Sequence, residues 1–124
     1  APLLKKKHLL ESFKKIKKLN FDRLVSVGKY NSSPLRAFVR RKDKIKYNNK
    51  KYIYKRSQDL PPIYYDAGSF YIYKASSILG KKKNFPLKTT FYHLSSSCIM
   101  DINYKEDLKL LKVLFKANKN NSIF

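Results

Sequence analysis

The stretch KRSQDLPPIYYDAGSFYIY, residues 55–73, places a polar turn directly before an aromatic strand. Pro61 and Pro62 cannot continue a β-ladder, so any strand before them must end there. The run AGSFYIYKA, residues 67–75, alternates side chains with the period of a strand. Inside that run, Gly68 indicates a bulge or a close approach of the backbone to a ligand. The polar turn either bonds its own backbone or forms one wall of a site for a small charged molecule.

The residues before this stretch predict a helix followed by strands. In residues 5–19, Leu9, Phe13 and Ile16 recur at i, i+4 and i+7, which predicts one apolar stripe under a lysine-rich back. The short β-branched run at residues 22–30 predicts a buried strand.

Two further sets of strands are predicted. Residues 36–56 read as two strand-like runs around an Asn-Asn turn, and their Lys and Arg side chains suit an exposed ribbon. TTFYHL, residues 89–94, and CIMDI, residues 98–102, are short strand candidates.

The clearest helix signal lies near the end of the chain. Asn103 is the predicted N-cap, with Glu106 as its capping-box partner and leucines recurring behind them. Helices at both ends and strands between them predict an α/β chain with a mixed sheet and flanking helices.

Composition restricts the class of protein. The 124 residues suit one domain or part of one, and no apolar run approaches the roughly 18 residues of a membrane span. A single cysteine, Cys98, excludes an internal disulfide and predicts a cytoplasmic location.

The net charge of +21 comes from 24 lysines and five arginines against eight acidic residues. Proteins selected to grip phosphate usually carry more arginine, whose planar fork binds it at two points. Solvated lysine-rich faces and a small basic nucleic-acid-binding protein of ribosomal type both stay open.

Three groups of residues could carry chemistry. Arg56 and Gln58 could bind a carboxylate and hydroxyl groups, or belong to a turn that Asp59 and Ser57 stabilise locally. Tyr71, by its period alone, is an aromatic of the core or of a sheet face.

Asp101 and Asn103 form the third group, where a strand is predicted to meet a helix. Their oxygens could hold Mg²⁺, or Asn103 could simply cap the helix. No residue is assigned to catalysis with certainty.

In this order, the segments RSQDLP (56–61), YYDAGSFY (64–71) and MDINYKEDL (100–108) resemble the motifs of the nonulosonate cytidylyltransferases, and the pseudaminic acid type most closely. The start, APLLKKKHLLESFKKIK, also resembles a segment of that family. The resemblance thus covers almost the whole chain.

The resemblance implies a function and a fold. Such enzymes transfer CMP from CTP to a sialic- or pseudaminic-type sugar acid and release pyrophosphate, on a Rossmann-like nucleotidyltransferase fold. Arg56 and Gln58 would face the sugar acid, Tyr71 would line its pocket, and Asp101 would hold Mg²⁺. Residues 36–56 would form a dimerisation ribbon.

Two departures from the family pattern limit these expectations. Asn103 stands where the family has a second metal-binding aspartate, so Mg²⁺ binding should be weakened. Residues 1–124 correspond to the C-terminal portion of the domain, without the N-terminal part that binds CTP. We therefore expect no catalysis by these residues alone. A companion N-terminal chain, a homodimer or a remnant kept to bind some partner all stay open.

Overall fold

The computed structural model describes residues 2–79 and 86–120. Its helices and strands, in chain order, are α1 (Lys6–Leu19), β1 (Arg23–Lys29), β2 (Phe38–Arg41), β3 (Lys44–Tyr47), β4 (Tyr64–Tyr73), α2 (Ala75–Leu79), β5 (Thr89–His93) and α3 (Lys105–Asn120). The chain divides into two compact units. The first unit contains the residues up to Gly28 and from Asp66 onward, and the second is Lys29–Tyr65.

A three-stranded sheet of order β4-β1-β5 forms the centre of the first unit. β1 and β5 run parallel, with Arg23 opposite Thr89. β4 runs antiparallel to β1, as two backbone hydrogen bonds at the opposite ends of the pair show. Lys74 N, after the end of β4, donates to Asp22 O, before the start of β1. Tyr30 N, after the end of β1, donates to Ile63 O, before the start of β4. The predicted α/β class, a mixed sheet with flanking helices, is confirmed. It is compatible with part of a nucleotidyltransferase fold.

Helix α1 forms where predicted, but the buried face is different. Its buried side chains are His8, Ser12 and Ile16, whereas Leu9 is 42% exposed and Phe13 50% exposed. The polar pair can be buried because Ser12 Oγ donates to His8 O at 2.7 Å and His8 Nδ1 accepts from a backbone N–H at 3.2 Å. Of the predicted stripe, Ile16 is buried as expected, whereas Leu9 and Phe13 lie largely on the surface.

Gly68 interrupts the alternation of β4, as the sequence indicated. Its φ is +61°, in the left-handed region that glycine adopts without strain. Asp66 Oδ1 accepts from Gly68 N at 2.9 Å, and Ser69 and Phe70 are then half-buried in succession. The side-chain alternation thus shifts by one residue, as in a β-bulge.

The second unit contains an antiparallel ribbon of β2 and β3, in which Phe38 lies opposite Tyr47. Every residue of the two strands is exposed. The turn is at Lys42, whose φ is +54°, and not at the predicted Asn-Asn pair. Asn49 instead accepts from Lys51 N at 3.1 Å and begins a 3₁₀ turn. The second predicted run therefore ends earlier than expected.

The last helix also differs in detail from the prediction. The predicted strand at residues 98–102 is absent there, since a 3₁₀ turn at Ser96–Cys98 is followed by chain without strand pairing. α3 begins at Lys105, and Asp107 accepts from the backbone N–H of Asn103 at 3.0 Å and of Tyr104 at 2.8 Å. Because the helix starts later than expected, Asp107 replaces Glu106 as the capping carboxylate.

The hydrophobic core is small. Its buried apolar residues in the described parts of the chain are Leu3, Ile16, Leu24, Leu94, Cys98 and Leu111. Many large apolar side chains of α1 and α3 stay exposed. Across residues 2–79 and 86–120, no helix combines the length and the apolar character that a bilayer crossing requires.

Candidate functional site

A cavity of about 610 Å³ lies within the second unit. It is bounded by the loop after β1, the first residues of the ribbon and the turn before β4. Its lining residues are Lys29–Ser33, Arg36, Phe38, Tyr47, Ser57, Gln58 and Leu60–Ile63. The cavity therefore contains part of the polar turn that the sequence singled out.

Two cations and the Gln58 amide are among the groups of this cavity that can recognise an anion. Arg36 Nη1 donates to Ser57 Oγ at 3.3 Å, which holds the guanidinium beside the turn that carries Gln58. Lys29 adds a second positive charge. An arginine fork suits a carboxylate, and a glutamine amide both donates to and accepts from hydroxyl groups.

The rest of the lining mixes polar side chains, Asn31 and three serines, with apolar and aromatic ones. The rings of Phe38 and Tyr47 lie 4.5 Å apart between centroids, and Pro61 and Pro62 shape the wall that leads to β4. In small-molecule sites, a few convergent polar groups fix the orientation of the ligand. This cavity can accept a polar ring compound that carries an acid group.

Arg56 is not among the residues that line this cavity. Its Nε binds Asp59 Oδ2 at 3.0 Å, with side-chain exposures of 74% and 47%. An ion pair in water contributes little to stability. Arg56 would therefore have to release Asp59 before it could bind a ligand, and its role stays a prediction.

Arg36 and Lys29 were missed by the sequence reasoning. Arg36 was predicted to be part of the charged ribbon of residues 36–56, and nothing in the spacing separates it from Arg40 or Arg41. The available signal was the position of Arg36 directly after a Pro-containing loop.

In the first unit, Tyr71 is tied to Asp66. The phenol donates to Asp66 Oδ2 at 2.8 Å, while Gly68 N donates to the other carboxylate oxygen at 2.9 Å. The bond to Asp66 raises the pKa of Tyr71 above its usual 10.0, because the phenol is held as a donor. Tyr71 is exposed, so its ring is available on the surface of β4. Sequence reasoning did not find the role of Asp66.

Asp101 lies beside the bulge of β4. A second cavity, of about 230 Å³, is lined by Ala67, Gly68 and Ser69 on one side and by Met100, Asp101 and Ile102 on the other, with Pro2. The structure thus brings together the glycine-containing strand and the segment before α3. These are two of the three stretches on which the resemblance rests.

The carboxylate of Asp101 fits Mg²⁺ as a single ligand. Its Oδ1 accepts from Ile102 N at 3.0 Å, and its Oδ2 lies 3.4 Å from Asn103 Nδ2. Mg²⁺ is commonly held by one or two carboxylates together with phosphate oxygens. Asn103 presents its amide nitrogen to Asp101. Among the residues the structure describes, no three His, Cys, Asp or Glu side chains form a metal cluster.

The predicted site residues fall in both units. Arg56 and Gln58 belong to the second, and Tyr71, Asp101 and Asn103 belong to the first. Within the second unit Gln58 shares its cavity with Arg36. Within the first, Asp101 is brought next to Asn103 and the β4 bulge.

Comparison with known proteins identifies similar sequences. No protein-family model matches the chain. Two curated pseudaminic acid cytidylyltransferases of Campylobacter jejuni subsp. jejuni, from serotypes O:23/36 and O:2, are each 28% identical to it over 123 residues. The match includes 98% of this chain and 53% of each relative, so the chain spans about half the length of the curated relatives it matches. Nothing found supports the nucleic-acid-binding alternative. The family resemblance predicted from the motifs is confirmed: this chain is similar to the C-terminal half of pseudaminic acid cytidylyltransferases.

Proposed function

We propose that this chain supplies the sugar-acid side of a cytidylyltransferase that transfers CMP from CTP to a nonulosonic acid. The observation that carries the proposal is the cavity of the second unit, where Arg36, Lys29 and Gln58 surround a space of about 610 Å³. A nonulosonic acid has one carboxylate and several hydroxyl groups, which is the chemistry that this lining recognises.

The reaction joins the anomeric hydroxyl of the sugar acid to the α-phosphorus of CTP. The new oxygen–phosphorus bond replaces the bond to the β-phosphate, so pyrophosphate leaves, and the hydroxyl proton is lost. The residues of the cavity bind and orient the sugar acid, with the cations countering its carboxylate. Fixing the attacking group in this way supplies a large part of the rate acceleration of such reactions.

Asp101 would hold Mg²⁺ beside the bulge of β4. When bound, the ion neutralises negative charge on the triphosphate. Tyr71 and Asp66 would keep a hydroxyl donor and a carboxylate on the neighbouring surface of the strand, held together at 2.8 Å. The residues that bind the phosphates of CTP are proposed to correspond to the half of the relatives that lies outside the match. A cytoplasmic location and dimerisation through residues 36–56 complete the proposal.

Binding of the sugar acid tests the proposal directly. Pseudaminic acid is titrated into the chain by isothermal titration calorimetry, with its methyl ester as the uncharged probe. Arg36→Gln is expected to weaken binding about tenfold or more, because a hydrogen bond to a charged group contributes about 1.5–3 kcal/mol. Arg40→Gln is the matched control, since Arg40 lies on the ribbon outside the cavity and donates to Lys42 O.

Equal binding of the acid and its ester, or equal losses in the two arginine variants, would contradict the assignment of the cavity. Arg56→Gln in the same titration tests the prediction made from the resemblance. A loss matching that of Arg36→Gln means that Arg56 leaves Asp59 for the ligand, whereas unchanged binding makes Arg36 the carboxylate-binding arginine.

Pyrophosphate release tests the proposal that the sugar-acid site and the nucleotide site lie in different halves of the enzyme. With CTP, Mg²⁺ and pseudaminic acid, these 124 residues alone are expected to release none, because the proposed nucleotide site lies outside them. Turnover by this chain alone would show that the CTP site is built from residues described here.

A further inference from the structure

The two parts of strand β4, before and after Gly68, present their side chains in opposite phase. Residues 64, 66 and 68 are exposed, the next two are half-buried in succession, and residues 71 and 73 are exposed again. In a regular strand, two residues an odd number of positions apart point to opposite faces. The extra residue of the bulge therefore brings Asp66 and Tyr71, five positions apart, to the same face of the strand.

The carboxylate of Asp66 bonds both sides of this bulge. Its Oδ1 accepts from Gly68 N at 2.9 Å, and its Oδ2 accepts from the phenol of Tyr71 at 2.8 Å. Gly68 has a φ of +61°, so the carboxylate bonds the residue whose backbone forms the bulge and a side chain that the bulge reorients. The bulge and the bond to the phenol thus stabilise each other.

A buried hydroxyl supports the bulge from the neighbouring strand. Ser26 of β1 is fully buried, and its Oγ accepts from Phe70 N at 3.0 Å. A bulge disrupts the ladder locally, and a backbone N–H that is taken from water needs another acceptor. Two side chains far apart in sequence, one exposed and one buried, therefore bond successive parts of the same bulge.

We propose that Asp66 and Ser26 are positioning residues that hold the β4 bulge in this register for the cavity that contains Asp101. Residues 67–69 form the wall of that cavity opposite Asp101. A strand without the bulge would place Tyr71 on the face opposite to Asp66 and would shift this wall. The part of the proposal that concerns ion binding rests on the proposed function of Asp101.

Amide hydrogen exchange in the 124-residue chain tests whether the two residues hold one bulge. Asp66→Ala removes the acceptor of the Gly68 amide, and Ser26→Ala removes the acceptor of the Phe70 amide. Each variant is expected to speed up exchange at both amides about tenfold or more. Asp43→Ala, which removes a carboxylate from the second unit, is the control and should leave both rates unchanged. Faster exchange only at the amide whose acceptor was removed would overturn the proposal.

The phenol of Tyr71 supplies a spectroscopic readout. Its ionisation is isolated as the difference in ultraviolet absorbance between the chain and Tyr71→Phe, followed against pH. The bond to Asp66 raises the pKa of Tyr71 above 10.0, so Asp66→Asn, which removes the charge, is expected to lower that pKa towards 10.0. Asp66→Glu keeps a carboxylate and is expected to recover part of the rise. An unchanged Tyr71 pKa in Asp66→Asn would show that Asp66 does not hold the phenol, against the proposal.

Calorimetric titration with Mg²⁺ separates position from charge. Ser26→Ala changes no charge, and it is expected to weaken Mg²⁺ binding about tenfold, because groups that orient a metal site commonly contribute that much. Asp66→Ala is expected to lose as much. Asp66→Asn still offers an oxygen to the Gly68 amide and is expected to lose less. Equal losses in the two Asp66 variants would mean that Asp66 acts through its charge, and the positioning role would be wrong.

Circular dichroism confirms that each variant folds. If Ser26→Ala does not fold, the variants at Asp66, which is exposed, still decide between position and charge. Absence of Mg²⁺ binding by the unchanged chain would contradict the proposed role of Asp101 only, because the exchange rates and the phenol titration would still decide whether the bulge is held as proposed. Binding of the sugar acid in the second unit enters none of these measurements.

Discussion

Asn103 is the residue where a single charge is expected to matter most. Its amide nitrogen lies 3.4 Å from Asp101 Oδ2, in a position where a carboxylate would place a second negative charge beside the first. Asn103→Asp is therefore expected to raise the affinity for Mg²⁺, because two carboxylates repel each other unless a cation lies between them. Calorimetric titration with Mg²⁺ measures the change, and turnover of the enzyme completed with the N-terminal half is expected to rise with it.

Asn48→Asp is the control for the added charge, since Asn48 lies in the second unit and outside both cavities. Equal Mg²⁺ affinities for Asn103→Asp and the unchanged chain would contradict the proposal that this segment binds the ion.

His8 is expected to make stability depend on pH. Burial, followed by the positive charge of Lys7, holds the pKa of His8 below its usual 6.5. The unfolded chain thus takes up a proton at a higher pH than the folded chain. The contribution of His8 to the free energy of unfolding is full above about pH 6.5 and declines as pH falls through the folded pKa.

Urea unfolding between pH 7 and 5 measures this decline. His8→Asn keeps an acceptor for Lys5 N without a titrating ring, and it is expected to flatten the profile over this range. His93→Asn, the control, is expected to retain the decline. A profile that His8→Asn leaves unchanged would contradict the assignment.

At the scale of single elements, the two faces of α1 are expected to contribute differently to stability. Ile16 is buried and Leu9 is half-exposed, although both belong to the stripe expected from the sequence. Ile16→Ala is expected to cost about 2–5 kcal/mol, and Leu9→Ala well under about 1 kcal/mol. Chemical denaturation of the chain alone measures both losses of stability. Comparable losses would mean that Leu9 is as buried as Ile16, as the stripe predicted from periodicity requires.

The bulge of β4 gives a prediction about backbone strain. Gly68 has a φ of +61°, and a Cβ built there meets nothing within 4 Å, so a side chain would cost conformational energy without a clash. Gly68→Ala is expected to lower the free energy of unfolding by about 1–2 kcal/mol. Gly68→Asn is expected to cost less, because asparagine tolerates the left-handed region. Ser69→Ala controls for a change at the neighbouring position, and equal stability of the alanine and asparagine variants at 68 would oppose the strain argument.

Periodicity identified the elements better than their contacts. α1 and β1 were placed nearly correctly because apolar spacing reports local structure directly. The ribbon turn was misplaced because Asn-Asn is the stronger turn signal, whereas the chain reverses at Lys42. The segment from Cys98 looked like a strand because its residues are apolar, but those residues follow a 3₁₀ turn and have no strand partner there.

At the scale of the whole molecule, net charge opposes the compact state. A formal charge of +21 on 124 residues produces self-repulsion that dissolved ions screen, with a Debye length of about 10 Å at 0.1 M salt. We expect the melting temperature to rise as NaCl is raised from about 0.01 M to about 0.1 M. Scanning calorimetry measures the shift. Replacing four exposed lysines of α1 by glutamine should reduce the shift, and a melting temperature that falls with salt would show that attractive ion pairs dominate.

The residues of the candidate site were predicted only in part, because motifs describe the chain locally and the site joins residues that are distant in sequence. Gln58 and Asp101, each of which lines a cavity, were predicted because motif order identifies positions along the chain. Arg36 was not found, because only the folded second unit brings it to Ser57, 21 residues further along. Whether Arg56 or Arg36 meets the ligand depends on an exchange of partners with Asp59, which a sequence pattern does not contain.

The reactivity of the single thiol, Cys98, can report how often the surrounding structure opens. It is buried at the 3₁₀ turn before α3, and there is no other sulfhydryl to compete with it. A disulfide reagent can modify it only when the surrounding residues open, so the modification rate follows the frequency of opening. Any molecule that closes the exposed surfaces of the first unit should slow that reaction, with no label added to the protein.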